Sequence, residues 1–170
     1  ISSNLERLIY RIAGNNAAKN AELMASLKSE GKYKITDDMK AQLADFYGNY
    51  ATEAEDAATI RKIYEDCGYV IDTHTSVAAT VYDKYRKETG DTTKTILLST
   101  ASPYKFPESV YQALTGEEVD VYTAIEKLHD LTGMEISYPL KGIKDREILH
   151  KGVIDRDAIL DTIAEKIKEY

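Results

Sequence analysis

Two short polar clusters hold the side chains best suited to chemistry: Asp72-Thr73-His74-Thr75 and Ser99-Thr100-Ala101-Ser102. Each follows an apolar run, Tyr69-Val70-Ile71 before the first and Ile96-Leu97-Leu98 before the second. If those runs are parallel strands, the clusters stand at the carboxyl ends, where open α/β sheets bind ligands. Small hydroxyls at such an edge can bond a ring or a phosphate without crowding it. The plainer reading is a pair of ordinary strand-to-helix turns with hydroxyl caps. Asp72 two residues before His74 has the makings of an acid–base pair, but no Ser or Cys nucleophile is tied to it by spacing. A capping or core histidine is again the plainer reading. His129 and His150 stand alone, without metal-ligand spacing, so no metal site is expected. There is no Walker-type loop and no Gly-rich dinucleotide fingerprint.

The elements that must position these clusters are mostly helical. Ser3 or Asn4 can cap a first helix whose Leu5, Leu8, Ile9 and Ile12 repeat at helical spacing, with a stop at Gly14. Residues 16–30 read as a second helix, and Thr36-Asp37-Asp38 caps a third that is expected to run through Tyr47. Residues 15–50 together read as a peripheral helical excursion within one unit spanning 1–170. Thr52-x-x-Glu55 has capping-box spacing and opens a helix to Cys67-Gly68. Residues 69–71 are expected to be a buried strand, 72–75 a polar turn and 76–89 a helix. Residues 94–99 form a continuous apolar run, as in a parallel strand covered on both faces. Strand, helix and strand make a βαβ unit. Helices are expected at 107–115, at 120–132 and from Asp155 to about Lys168, with 134–153 irregular. The fold class is therefore α/β and helix-rich, with a short parallel sheet fragment at 69–71, 94–99 and the opening Ile1-Ser2.

Composition bounds the rest. The chain has 170 residues, a formal net charge of −7, 13 Tyr, no Trp and one cysteine, Cys67. The acidic balance argues against a nucleic-acid partner, whose binding surface would be basic. No apolar run approaches the roughly 18–20 residues of a membrane helix, so no membrane partner is expected. One cysteine excludes an intrachain disulfide and fits a reducing, cytoplasmic setting. The chain opens Ile1-Ser2-Ser3-Asn4 without an initiator Met. It is therefore expected to be processed or to be cut from something longer.

One stretch is distinctive. Ser99-Thr100-Ala101-Ser102-Pro103-Tyr104-Lys105-Phe106-Pro107 resembles the Ser-Thr-Ala-x-Pro-x-Lys-Phe segment of the threonine synthase family. Ser2-Ser3-Asn4-Leu5-Glu6-Arg7-Leu8 is similar to that family's helix start, Tyr69-Val70-Ile71-Asp72-Thr73-His74-Thr75 to its Asp-x-His-Thr turn, and Ile148 onward to its closing helix. The four matches fall in the family's order and span nearly the whole chain.

The resemblance implies the C-terminal part of a fold type II pyridoxal-phosphate enzyme. That family converts O-phospho-L-homoserine and water into L-threonine and phosphate, in threonine biosynthesis. Thr100 matches the family threonine whose hydroxyl faces the pyridine nitrogen, with Ser99 beside it. Asn4, Arg7, His74, Thr75 and Lys105 match positions at the substrate side, where Arg7 suits a phosphate monoester. An ion pair of Arg7 with an interior carboxylate is an equal alternative, as is a solvated Lys105. The family's Schiff-base lysine, in a Lys-Asp motif of its N-terminal half, has no counterpart in the matched part, so no catalytic residue is assigned here. Ser102 and Tyr104 depart from the His and the small residue that many members carry. The implied partner is the N-terminal part of the same enzyme. Alone, the chain is expected to be inactive, to bind no cofactor and to self-associate. A free-standing, non-enzymatic binding or interaction domain of the same fold is the alternative.

Overall fold

The computed structural model describes residues 3–168. Within them lie eight α-helices: α1 (Ser3–Ile12), α2 (Ala17–Glu30), α3 (Asp37–Ala41), α4 (Glu53–Cys67), α5 (Thr73–Thr89), α6 (Pro107–Thr115), α7 (Val121–Thr132) and α8 (Ile159–Lys168). The capping box at Thr52 forms as its spacing predicts. Thr52 Oγ1 accepts from the Glu55 amide at 3.3 Å, and Glu55 Oε2 accepts from the Thr52 amide at 2.8 Å. At the other end of α4, Gly68 takes φ 68° and its amide bonds Tyr64 O. A left-handed C-cap of this kind favours glycine.

α4 is the central element. It packs against both α5 and α6, and α6 packs against α7. The main core joins Ile60 of α4, Ile71, Tyr104, Val110 and Ala113 of α6, and Ile125 and Leu128 of α7. Two polar contacts lock α4 in place. Arg61 Nε donates to Ala113 O at 2.9 Å, an orphan carbonyl near the end of α6, and the Thr59 and Thr80 hydroxyls meet at 2.8 Å between α4 and α5. A second, smaller core collects Ile9 and Ile12 of α1, Leu23 of α2 and Met39 of α3. Most of residues 15–50 therefore pack with α1 rather than on the main core. None of the described residues of α8 is buried.

The structure corrects several expectations. No strand occurs among the described residues, and the Ile1-Ser2 expectation lies outside them. Residues 69–71 and 94–99 have no regular structure, and no backbone hydrogen bond joins the two runs. A strand exists only through a backbone neighbour, and neither run finds one within residues 3–168. Ile71 still enters the main core, whereas Ile96 is 87% and Leu98 77% exposed, so the second run is not covered on either face. The third helix ends at Ala41 instead of Tyr47. There the chain tightens into i→i−3 turns, Leu43 N to Lys40 O and Phe46 N to Leu43 O, each at 2.9 Å. α5 begins at Thr73, not Ser76, because Asp72 caps it. α8 begins at Ile159, behind a single 3₁₀ turn at Arg156–Ala158.

Candidate functional site

Asp72 is the pivot of the site. It is 1% exposed, and its Oδ1 accepts from the amides of His74 at 2.9 Å and Thr75 at 3.3 Å, as an N-cap should. The Thr75 hydroxyl donates to Asp72 Oδ2. The same Thr75 Oγ1 lies 3.0 Å from Ser99 Oγ, and Ser99 Oγ lies 3.5 Å from Asp72 Oδ2. One buried carboxylate thus gathers Thr75 from α5 and Ser99 from the irregular segment that follows α5. Burial alone would push the Asp72 carboxyl upward. The Thr75 hydroxyl and the two amides outweigh it and hold the carboxyl below its ordinary value.

His74 sits at the rim, 60% exposed, with Nδ1 3.5 Å from Asp72 Oδ1. Its ring stacks on Phe106, centroids 5.4 Å apart at 25°. Lys105 is exposed, its Nζ 5.6 Å from the Phe106 centroid. Below this wall an open groove of about 400 Å³ is lined by Thr52, Asp56, Thr73, His74, Phe106 and Ser109, among others. Asp56 Oδ1 is buried there without a hydrogen-bond partner, and burial pushes the Asp56 carboxyl upward. Asp56 and Phe106 were not singled out as site residues from sequence. Phe106 lies inside the distinctive 99–107 stretch and was visible there; Asp56 gave no signal beyond following a capping box.

Thr100 follows Ser99 directly, is exposed, and has no hydrogen-bond partner among the described residues. The structure therefore joins Asp72, Thr75 and Ser99, with Thr100 next to them, and brings both His74 and Lys105 against the Phe106 ring. It does not bring Asn4 and Arg7 into that cluster. Those two pair with each other, Arg7 Nη1 donating to Asn4 Oδ1 at 2.8 Å on the surface of α1. Among the described residues, no group of three or more His, Cys, Asp or Glu could share a metal ion. No helix there is long and apolar enough to cross a membrane.

Residues 75–144 match the family described as threonine synthase, C-terminal. Over 118 residues the chain is 30% identical to threonine synthase of Pseudomonas aeruginosa, covering 69% of this chain and 25% of that one. It is 32% identical over 137 residues to threonine synthase of Methylobacillus glycogenes, covering 79% and 27%. The chain is a relative of the C-terminal part of threonine synthase. Human threonine synthase-like 1 is 31% identical over 141 residues, 76% of this chain and 19% of that protein. The chain thus spans about a quarter or less of the length of these relatives.

Among solved structures, the PLP-bound threonine synthase of Brucella melitensis aligns with TM-score 0.56 and 30% identity, covering 85% of this chain and 31% of that one. The threonine synthase of yeast aligns with TM-score 0.71 over all of this chain and 35% of its own, at 24% identity, which speaks for the fold.

The segment matched to the threonine synthase C-terminal family contains Thr75, Ser99, Thr100 and Lys105 but not Asn4, Arg7 or His74. The departure at Tyr104 has a structural use. Its ring is buried in the main core, and its hydroxyl donates to Met134 O at 2.7 Å. A Lys-Asp dipeptide does occur at Lys144-Asp145, in a 3₁₀ turn beyond α7, away from the polar cluster.

Proposed function

We propose that this chain is the C-terminal part of a threonine synthase that converts O-phospho-L-homoserine and water into L-threonine and phosphate with pyridoxal phosphate. The observation that carries the reading is the pairing of a pinned Ser99 with an exposed, unpartnered Thr100 inside the segment the family shares. The donor set fits the cofactor. A pyridine nitrogen needs one hydrogen-bond donor, and Thr100 offers a free hydroxyl. When bound, the cofactor supplies an electron-accepting ring that stabilises negative charge developing on the substrate carbon. Thr100 would donate to the ring nitrogen and, as a neutral group, would leave it largely unprotonated. His74 and Lys105 flank the substrate side, where Lys105 offers its charge to a phosphate.

The remaining parts come from the N-terminal part of the same enzyme. It supplies the lysine that bonds the cofactor, the cradle for its phosphate, and strands that pair with residues 69–71 and 94–99 to complete a fold type II sheet. Residues 15–50 are a peripheral excursion of this single C-terminal unit, which works in the cytoplasm. The exposed Ile96 and Leu98 make the isolated chain prone to self-association. The names of the relatives favour this reading over a free-standing binding domain.

The test uses the reading frame upstream of Ile1 and the polypeptide it encodes. The frame is expected to hold a Lys-Asp cofactor motif and a Gly-rich loop. The full polypeptide should release phosphate from O-phospho-L-homoserine, and Thr100→Val in it should lower turnover by roughly 2- to 12-fold, the value of one hydrogen bond. The 170-residue chain alone should do neither that nor bind the cofactor. Saturable, stoichiometric cofactor binding by the chain alone, or a start codon directly before Ile1, overturns the reading.

A further inference from the structure

Asp72 does more than cap α5, and a count of protons shows what. The Thr75 hydroxyl has one proton, and the ionised carboxylate of Asp72 claims it. The same Thr75 hydroxyl is also aimed at Ser99 Oγ, 3.0 Å away, while Ser99 Oγ donates its own proton inward to Asp72 Oδ2 at 3.5 Å. What Ser99 can show outward is lone pairs. Thr100, one residue on, is exposed and spends its proton on nothing among the described residues. The two adjacent hydroxyls are chemically alike in sequence but are made unlike by the carboxylate beneath them.

We propose that Asp72 is a positioning residue that acts through Thr75 to fix Ser99 and turn its proton inward, leaving Thr100 as the one hydroxyl of the pair that donates to the bound ring. The inference rests on the reading that this segment faces pyridoxal phosphate. Asp72 touches neither cofactor nor substrate in this account. Its effect reaches the ring only through the placement of 99–100.

The experiment uses the full polypeptide that contains this chain. Asp72→Asn keeps the cap of α5, since Asn caps about as well as Asp. Its side-chain amide, however, donates where the carboxylate accepted, so the Thr75 and Ser99 protons are released. Thr75→Val removes the bridge and leaves the carboxylate; Thr75→Ser restores the hydroxyl. Cofactor dissociation constants and the absorbance spectrum of the bound cofactor are read alongside thermal unfolding. Asp72→Asn and Thr75→Val are expected to weaken cofactor retention by roughly 3- to 10-fold and to shift the absorbance, and Thr75→Ser to return both to near wild type. A purely structural role would lower the unfolding temperature without changing the spectrum of the cofactor that remains. Should Asp72→Asn fail to fold, the Thr75→Val and Thr75→Ser pair decides alone. Wild-type retention and spectrum in Thr75→Val overturn the proposal. A wild-type polypeptide that retains no cofactor at all defeats the functional reading on which it rests, and the proposal with it.

Discussion

Thr75 Oγ1 lies 3.0 Å from Ser99 Oγ, and this approach ties the first turn of α5 to a segment 24 residues further along. Asp72 contacts both hydroxyls. Its carboxyl is held below the ordinary 3.8 by hydrogen bonds that overcome its burial. A carboxyl with a lowered folded-state pKa stabilises the fold above its unfolded value, and that stability is lost as pH falls through the folded value. Unfolding midpoints should therefore drop as the pH is taken below about 4. Glu55, held near 2 by the Lys84 hydrogen bond and the Thr52 amide, and Asp91, held near 2 chiefly by Thr93, lose their contributions in the same acid window. The share of Asp72 is the difference between wild type and Asp72→Asn in urea unfolding from pH 2 to 7. Parallel curves for the two proteins would show that Asp72 contributes none.

Arg61 should be among the costlier polar residues to lose. Its Nε supplies the last turn of α6 with a charged donor to Ala113 O. Removing a charge-assisted bond of this kind costs about 1.5–3 kcal/mol. Arg61→Met keeps much of the aliphatic packing and isolates that term. Thermal unfolding should fall by about 3–12 °C, at roughly 2–4 °C per kcal/mol for a chain of this size. A loss within about 1 °C would mean that water replaces the guanidinium at Ala113.

What could be read from the sequence was what is local. The capping box at Thr52-Glu55 and the stop at Gly68 both use residues within one turn of each other, so their spacing alone placed both ends of α4. The start of α5 was misplaced by three residues because Asp72 was read as turn and not as cap. Residues 94–99 have the composition of a covered strand, but pairing is a property of two segments, and the second is not within residues 3–168. The Asp72–Ser99 meeting was unreadable for a related reason. Each residue stood out in its own cluster, yet no periodicity links positions 27 residues apart. Asn4 and Arg7, one turn apart, bond each other, which spacing permits and chemistry favours.

Tyr104 separates ring from hydroxyl. Its ring is in the main core, while the Met134 carbonyl that receives its hydroxyl also meets His129 Nδ1 at 2.8 Å. Tyr104→Phe leaves that carbonyl with a second potential donor and should cost about 0.5–1.5 kcal/mol. Tyr104→Ala empties the space of a buried ring and should cost about 3–5 kcal/mol. Denaturant unfolding of both variants checks the gap between them. Equal losses would show that the hydroxyl, not the ring, is what α7 and the 103–105 turn rely on.

The exposed run at 94–99 makes the last prediction, which concerns when it is covered. Lys94 is exposed in a segment with no regular structure, between Gly90 and the 3₁₀ turn at Pro103–Lys105. A protease needs an accessible stretch of backbone free of regular structure, and this one offers several residues on each side of Lys94. Arg61 and Lys62, by contrast, are held inside α4. Trypsin acting on the 170-residue chain should therefore cut after Lys94 well before it cuts within α4. In the full polypeptide the run is expected to pair with strands from the N-terminal part, and its backbone then becomes protected. Mass spectrometry of timed digests should find the Lys94 cut early in the chain alone and late, or not at all, in the full polypeptide. Early cutting at Lys94 in both would show that 94–99 finds no strand to pair with, and the sheet would have to be built elsewhere.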